Sequence, residues 1–141
     1  MADFDVKKLK TPADCRNFMK NAQKKGREDL YALAFRRLCD HEARPDPDPI
    51  VVEFWRAITA LEEIRRAKHG KAVQANRTRR KVQKDGVMAT IEALVLSKKP
   101  SDGFNWLVDA NLAELTAEHI VTRYPEHFSA QALAAAKARL T

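Results

Sequence analysis

Arg77, Arg80, Lys81 and Lys84 stand at relative positions zero, three, four and seven, a spacing that puts four cations on one face of a helix. Like charges stacked this way repel by roughly a few tenths of a kcal/mol per pair. A run of phosphates relieves that repulsion and releases condensed counterions, so the stripe suits polyanion binding rather than bond making. Arg79 lies on the same segment, Lys71 at its start, and Arg65, Arg66 and Lys68 just before it. Gln74, Asn76, Thr78 and Gln83 add neutral groups of the kind that meet phosphates or base edges.

Catalytic spacing is missing. The histidines are scattered at His41, His69, His119 and His127, and the chain has no phosphate loop, dinucleotide fingerprint, HExxH or nucleophile elbow. Glu118 and His119 are adjacent, so on a helix they diverge, and neither has an orienting third group; a surface role is expected for them. Cys15, Cys39 and His41 are the one soft-ligand set within reach of each other, but Cys39 and His41 point to different sides of a helix. The two thiols are therefore expected to fill a core, with no metal, no cofactor and no enzymatic activity. Trp55 falls in a broad apolar face and is assigned to the core, whereas Trp106 is left open as a contact for a base or a partner.

Charge is unevenly distributed over the 141 residues, whose formal balance is +7. Residues 1–27 hold eight basic and three acidic groups, and residues 64–99 hold eleven and two. Residues 28–63 reverse the sign with four basic and nine acidic groups. Two basic blocks on one chain are a more specific signal than a basic mean, which serves solubility alone. In the first block Arg16, Lys20 and Lys24 recur every four residues. The competing reading of the second block is a solvated helix whose arginines pair with the acidic stretch, and that of the first is a solubilising surface.

The elements that would carry these groups are helical. Four glycines, six prolines and 7% aromatics are too few for a barrel or sandwich. About seven short to medium helices are expected in an all-α fold. Thr11-Pro12 starts the first, with Asp14 placed for a reciprocal cap, and Gly26 stops it. A second from about Glu28 to Ala43 must then fold back antiparallel. Residues 1–43 form this hairpin, the proline-rich residues 44–49 a stiff connector, and residues 50–141 a helical bundle. Within the bundle, Ile50 to Ile64 predict a central buried helix ending near Gly70, and about 71–84 a basic helix stopped at Asp85-Gly86. An apolar helix follows from Val87; Ser101 and Ser129 cap two later ones, and Leu112, Leu115, Ile120 and Val121 suggest another between them.

The opening hairpin resembles a single tetratricopeptide unit, but the ~34-residue period and the second copy of such repeats are lacking. A helix-turn-helix over 71–97 would have reversed polarity, since its second helix is the apolar one. The expected function is binding of nucleic acid by phosphate contacts, with duplex DNA favoured because single-strand aromatic signatures are sparse. The alternative is docking of an acidic protein partner on the same face. No membrane span or export signal is expected, and an intracellular, cytoplasmic or nucleoid-associated location follows from that reading.

Overall fold

A computed structural model describes residues 5–70 and 74–141, apart from the side chain of Asp102. Among these residues there is no strand. Eight α-helices follow one another: α1 Pro12–Lys24, α2 Glu28–Glu42, α3 Pro49–His69, α4 Asn76–Asp85, α5 Val87–Val95, α6 Asp102–Asp109, α7 Ala117–Arg123 and α8 Ala130–Leu140. Single 3-10 turns lie at Val6–Lys8, Ala113–Leu115 and Pro125–His127. None of the described helices is long and apolar enough to cross a membrane.

The α1–α2 hairpin follows from its ends. Thr11 Oγ1 accepts the Asp14 N–H at 3.1 Å, and Asp14 accepts from the Lys10 N–H at 3.3 Å, one residue before the position of a reciprocal capping box. At the far end Gly26 has φ 67°, and the N–H groups of Gly26 and Arg27 turn back onto the carbonyls of Gln23 and Ala22. Those two bonds close the helix only when the residue between them is left-handed, which glycine permits without steric cost. The chain then reverses, so that the Leu9 carbonyl before α1 meets Arg37 Nε at 3.3 Å and His41 Nε2 at 2.7 Å near the end of α2. Cys15, Met19, Phe35, Leu38 and Cys39 pack in the seam. Burial raises both thiols, so neither is poised as a thiolate.

Asp48 and Pro49 start α3: the Asp48 carboxylate accepts the Ile50 N–H at 2.9 Å, and Pro49 takes the first helical position where its missing N–H costs nothing. The stiff connector thus ends one residue earlier than expected. At 1.5 Å per residue the 21 residues of α3 span about 31 Å, enough to border two apolar clusters. One contains Ala60 with the hairpin and with Leu107, Leu112 and Leu115. The other contains Ile50, Phe54 and Ile58 with Ile91, Val95, Ile120, Val121, Ala132 and Ala136.

Three expectations shift. Leu112 and Leu115 precede α7 rather than belonging to it. Asn111 at φ 63° stops α6, because the Leu112 N–H returns to the Leu107 carbonyl at 2.7 Å and the Asn111 N–H to the Val108 carbonyl at 3.1 Å. Thr116 then recaps the chain through the His119 N–H. In α8 the spacing puts Leu133, Ala136 and Leu140 inward, whereas the fully buried residues are Ala132 and Ala136, small enough to let the helix approach α7 closely, with Leu133 packed at the margin. The basic helix begins at Asn76 instead of Lys71: the Ala75 N–H is held at 2.7 Å by the Glu62 carboxylate, which fixes the entry to α4. Residues 71–73, including Lys71, lie outside the described residues. Gly86 joins α4 to α5 at φ 91°, ψ 169°, a backbone region open essentially to glycine alone.

Candidate nucleic-acid interface

Val82 and Arg79 tie α4 to the rest of the fold, and Lys81 and Asp85 pair with each other along the helix. Val82 packs into the second cluster beside Val87 and Met88. Arg79 forms a two-pronged contact with Glu62, Nε at 2.7 Å and Nη2 at 2.8 Å. Lys81 Nζ lies 2.6 Å from Asp85 Oδ2 one turn later. Hydrogen bonding from Lys81 holds the Asp85 carboxyl below its ordinary value. Arg79 and Lys81 are therefore neutralised from within, and the expected four-cation stripe narrows.

Arg77, Arg80 and Lys84 remain. All three are exposed, and they make no hydrogen bond or ion pair with the described residues. They keep the spacing of three and four on the solvent side of α4. Arg66 and Arg65 are half-buried on the last turns of α3, where Arg65 is close enough to act on the Glu62 carboxyl. Lys68 is exposed one residue before His69, at the helix end. The first basic block loses Arg16 in the same way as α4 loses Arg79: its Nε meets Glu63 at 3.2 Å and its Nη2 meets Glu42 at 3.8 Å. For these two arginines the internal pairing with the acidic stretch is what the fold adopts.

The Glu62 tie has a pH signature. Burial pushes its carboxyl up, but the bonds from Arg79 and the Ala75 N–H outweigh burial and leave it below its ordinary value. A carboxyl lowered by folding adds stability above its unfolded pKa, about 4.3 for Glu, and loses it as the pH falls through the lower folded value. Glu62→Gln should therefore melt at a lower temperature than wild type at pH 7, with the gap shrinking on acidification below about pH 4. A gap that stays constant across that range would show that the pairing adds nothing.

Trp55 is only partly in the core to which the sequence assigns it: it packs against the second cluster from the margin. It stands on α3 next to Phe54, and adjacent helix residues point about 100° apart, so the two rings cannot both enter the core. Phe54 does so, and Trp55 is half-buried, meeting it edge-on at 5.2 Å between centroids. The guanidinium of Arg44, an exposed connector residue, lies 3.9 Å from the indole centroid, and that of Arg79 lies 5.6 Å from it. The signal was present in the spacing: Trp55, Thr59, Glu62 and Arg66 form a stripe of their own beside the Ile50-Phe54-Ile58 core line. These four, with Arg16 and its partners Glu42 and Glu63, border a cleft of about 360 Å³, which continues past Arg44, Gln74 and Arg79 into one of about 450 Å³ reaching Asn76, Arg80 and Gln83. The cleft thus joins the indole to the exposed face of α4.

The remaining candidates have structural partners. Trp106 packs at 5.5 Å from Phe35 and edge-on at 6.3 Å from Tyr31. The cleft at its margin is bordered by Glu28, Asp109 and the Arg27–Asp29 pair. Glu118, expected at the surface, is buried, and its carboxylate meets Arg139 Nη1 at 2.9 Å. His119 is shifted downward by burial and by Arg123, and His127 is exposed near Glu126. Among the described residues no group of three His, Cys, Asp or Glu could hold a metal ion. No protein-family model matches the chain, and neither a curated protein nor a solved structure does so.

Proposed function

We propose that the protein binds nucleic acid, duplex DNA included, by holding consecutive phosphates on the outer face of α4. The observation that carries this reading is the state of Arg77, Arg80 and Lys84: exposed, three and four residues apart and in no salt bridge, on a helix whose other two cations are in one each. Seven residues at 1.5 Å rise set Arg77 and Lys84 about 10 Å apart along the axis. At 3.4 Å per nucleotide of one strand, that is the axial length of about three phosphates. Arg65, Arg66 and Lys68 at the end of α3 extend the positive field, and Arg79 serves by orienting α4 rather than by touching the ligand. The sequence argument for duplex over single strands weakens once Trp55 lies beside the basic face.

Salt dependence tests the proposal. Three neutralised phosphates at about 0.9 each give a log–log slope near −2.7 on duplex, and at about 0.7 each a slope near −2 on single strands. Binding of labelled duplex and single strand should follow these slopes between low and physiological salt. No binding to either at low salt, together with binding of an acidic polypeptide such as polyglutamate, would transfer the same face to an acidic protein partner.

A further inference from the structure

Resting on that reading, we propose that the cleft over Trp55 receives an unpaired nucleobase, stacked on the indole, while the adjoining phosphates lie on α4. The indole already carries a flat group on one face. The Arg44 guanidinium sits 3.9 Å from the ring centroid, the approach a stacked plate makes, and it belongs to an exposed connector residue with no ion pair or hydrogen bond among the described residues. A cation held only by a ring at a partly exposed site is weakly held. A base offers the ring a larger stacking surface, and its strand brings phosphates for which a displaced Arg44 is a partner.

The walls of the cleft match the edges of a base. Gln74, Asn76 and Gln83 are exposed along it, and their amides make no hydrogen bond with the described residues. Each amide presents a donor and an acceptor, the pairing that base edges require. Arg80 borders the same cleft and is one of the three unpaired cations of α4, so a strand with its base on Trp55 has a phosphate contact directly beside it. A base inside a duplex is covered on both faces by its neighbours, which makes the site selective for unpaired nucleotides.

The experiment compares a thymidine oligonucleotide, a blunt duplex and thymidine triphosphate, using wild type, Trp55→Leu and Trp55→Phe. Wild type should bind the single strand more tightly than the duplex. Trp55→Leu should lose about ten- to a hundredfold of the single-strand affinity and leave duplex affinity unchanged, with Trp55→Phe retaining most of it. Photo-crosslinking of an iodouracil-substituted strand to wild type, followed by peptide mapping, should place the link on Trp55 whether or not the variants fold. Strand binding with crosslinks on α4 alone, or equal loss for strand and duplex in a folded Trp55→Leu, overturns the base site but leaves the phosphate face standing. Triphosphate binding as tight as that of the strand would make the free nucleotide the ligand and overturn the strand assignment. Absence of all binding refutes both proposals together.

Discussion

Glu118→Ala should lower the free energy of unfolding by about 3–5 kcal/mol, the range for removing one partner of a buried ion pair. Both side chains are close to dry: Glu118 keeps 6% of its side-chain exposure and Arg139 11%. The guanidinium also donates to the Leu94 carbonyl at 3.1 Å and to the Ser97 carbonyl. The Leu94 carbonyl lies in the last turn of α5 and the Ser97 carbonyl just past its cap, where a cation meets the negative end of the helix dipole. Removing Glu118 leaves Arg139 charged and enclosed between α7, α8 and the end of α5. Since single domains unfold with about 5–15 kcal/mol in total, the variant should be near its limit at ambient temperature. Urea unfolding at fixed pH measures this. Glu118→Leu combined with Arg139→Met should recover much of the loss, because apolar groups of similar size need no counterion. A loss below about 1 kcal/mol for Glu118→Ala would mean that solvent reaches the pair after all.

Reversing Arg77, Arg80 and Lys84 together to Glu should reduce nucleic-acid affinity at low salt by roughly a thousandfold or more. Each charge-assisted contact contributes about 1.5–3 kcal/mol, close to tenfold or better, and the new carboxylates add repulsion. The fold should be indifferent, because all three side chains are exposed and outside both apolar clusters. Reversal of Lys20, Lys24 and Lys25, equally exposed but on α1 and its C-terminal cap, is the matched control for net charge. Both proteins should melt as wild type does, and only the α4 variant should lose binding in a labelled-oligonucleotide titration. Equal losses in the two would reduce the effect to overall charge.

Helix limits were legible wherever the chain states them locally. Thr11, Ser101 and Ser129 cap the helices they were expected to cap, and Gly26, Gly70 and Gly86 mark three of the stops. Such signals act within four residues, so spacing alone reveals them. The left-handed Asn111 was missed because asparagine adopts that conformation only when context favours it. Pairing was illegible for a different reason. Arg79 reaches Glu62 across 17 positions, Arg139 reaches Glu118 across 21, and Arg16 reaches Glu63 across 47. These distances are set by how helices dock, and no periodicity encodes that. Arg79 and Lys81 were accordingly counted among the free cations of α4 although the fold pairs both. Trp55 was lost to the core because the apolar breadth of α3 was read as a single face when it holds two.

The internal ion pairs also shape how the molecule looks from a distance. Arg16, Arg56 and Arg79 consume carboxylates of the 28–63 stretch, and Arg123 consumes Glu53 on α3, so that stretch has little negative charge left to project. Residues 64–99 keep eleven basic groups against two acidic ones, and among the described residues of that stretch only Arg79 and Lys81 are held in ion pairs. A particle with that asymmetry has an electric moment. In the field of a polyanion it experiences a torque before it experiences contact, and it arrives with its positive side leading. Its capture rate should exceed that of an evenly charged protein of the same net charge, and the advantage should vanish once the Debye length, about 10 Å at 0.1 M salt, becomes shorter than the molecule.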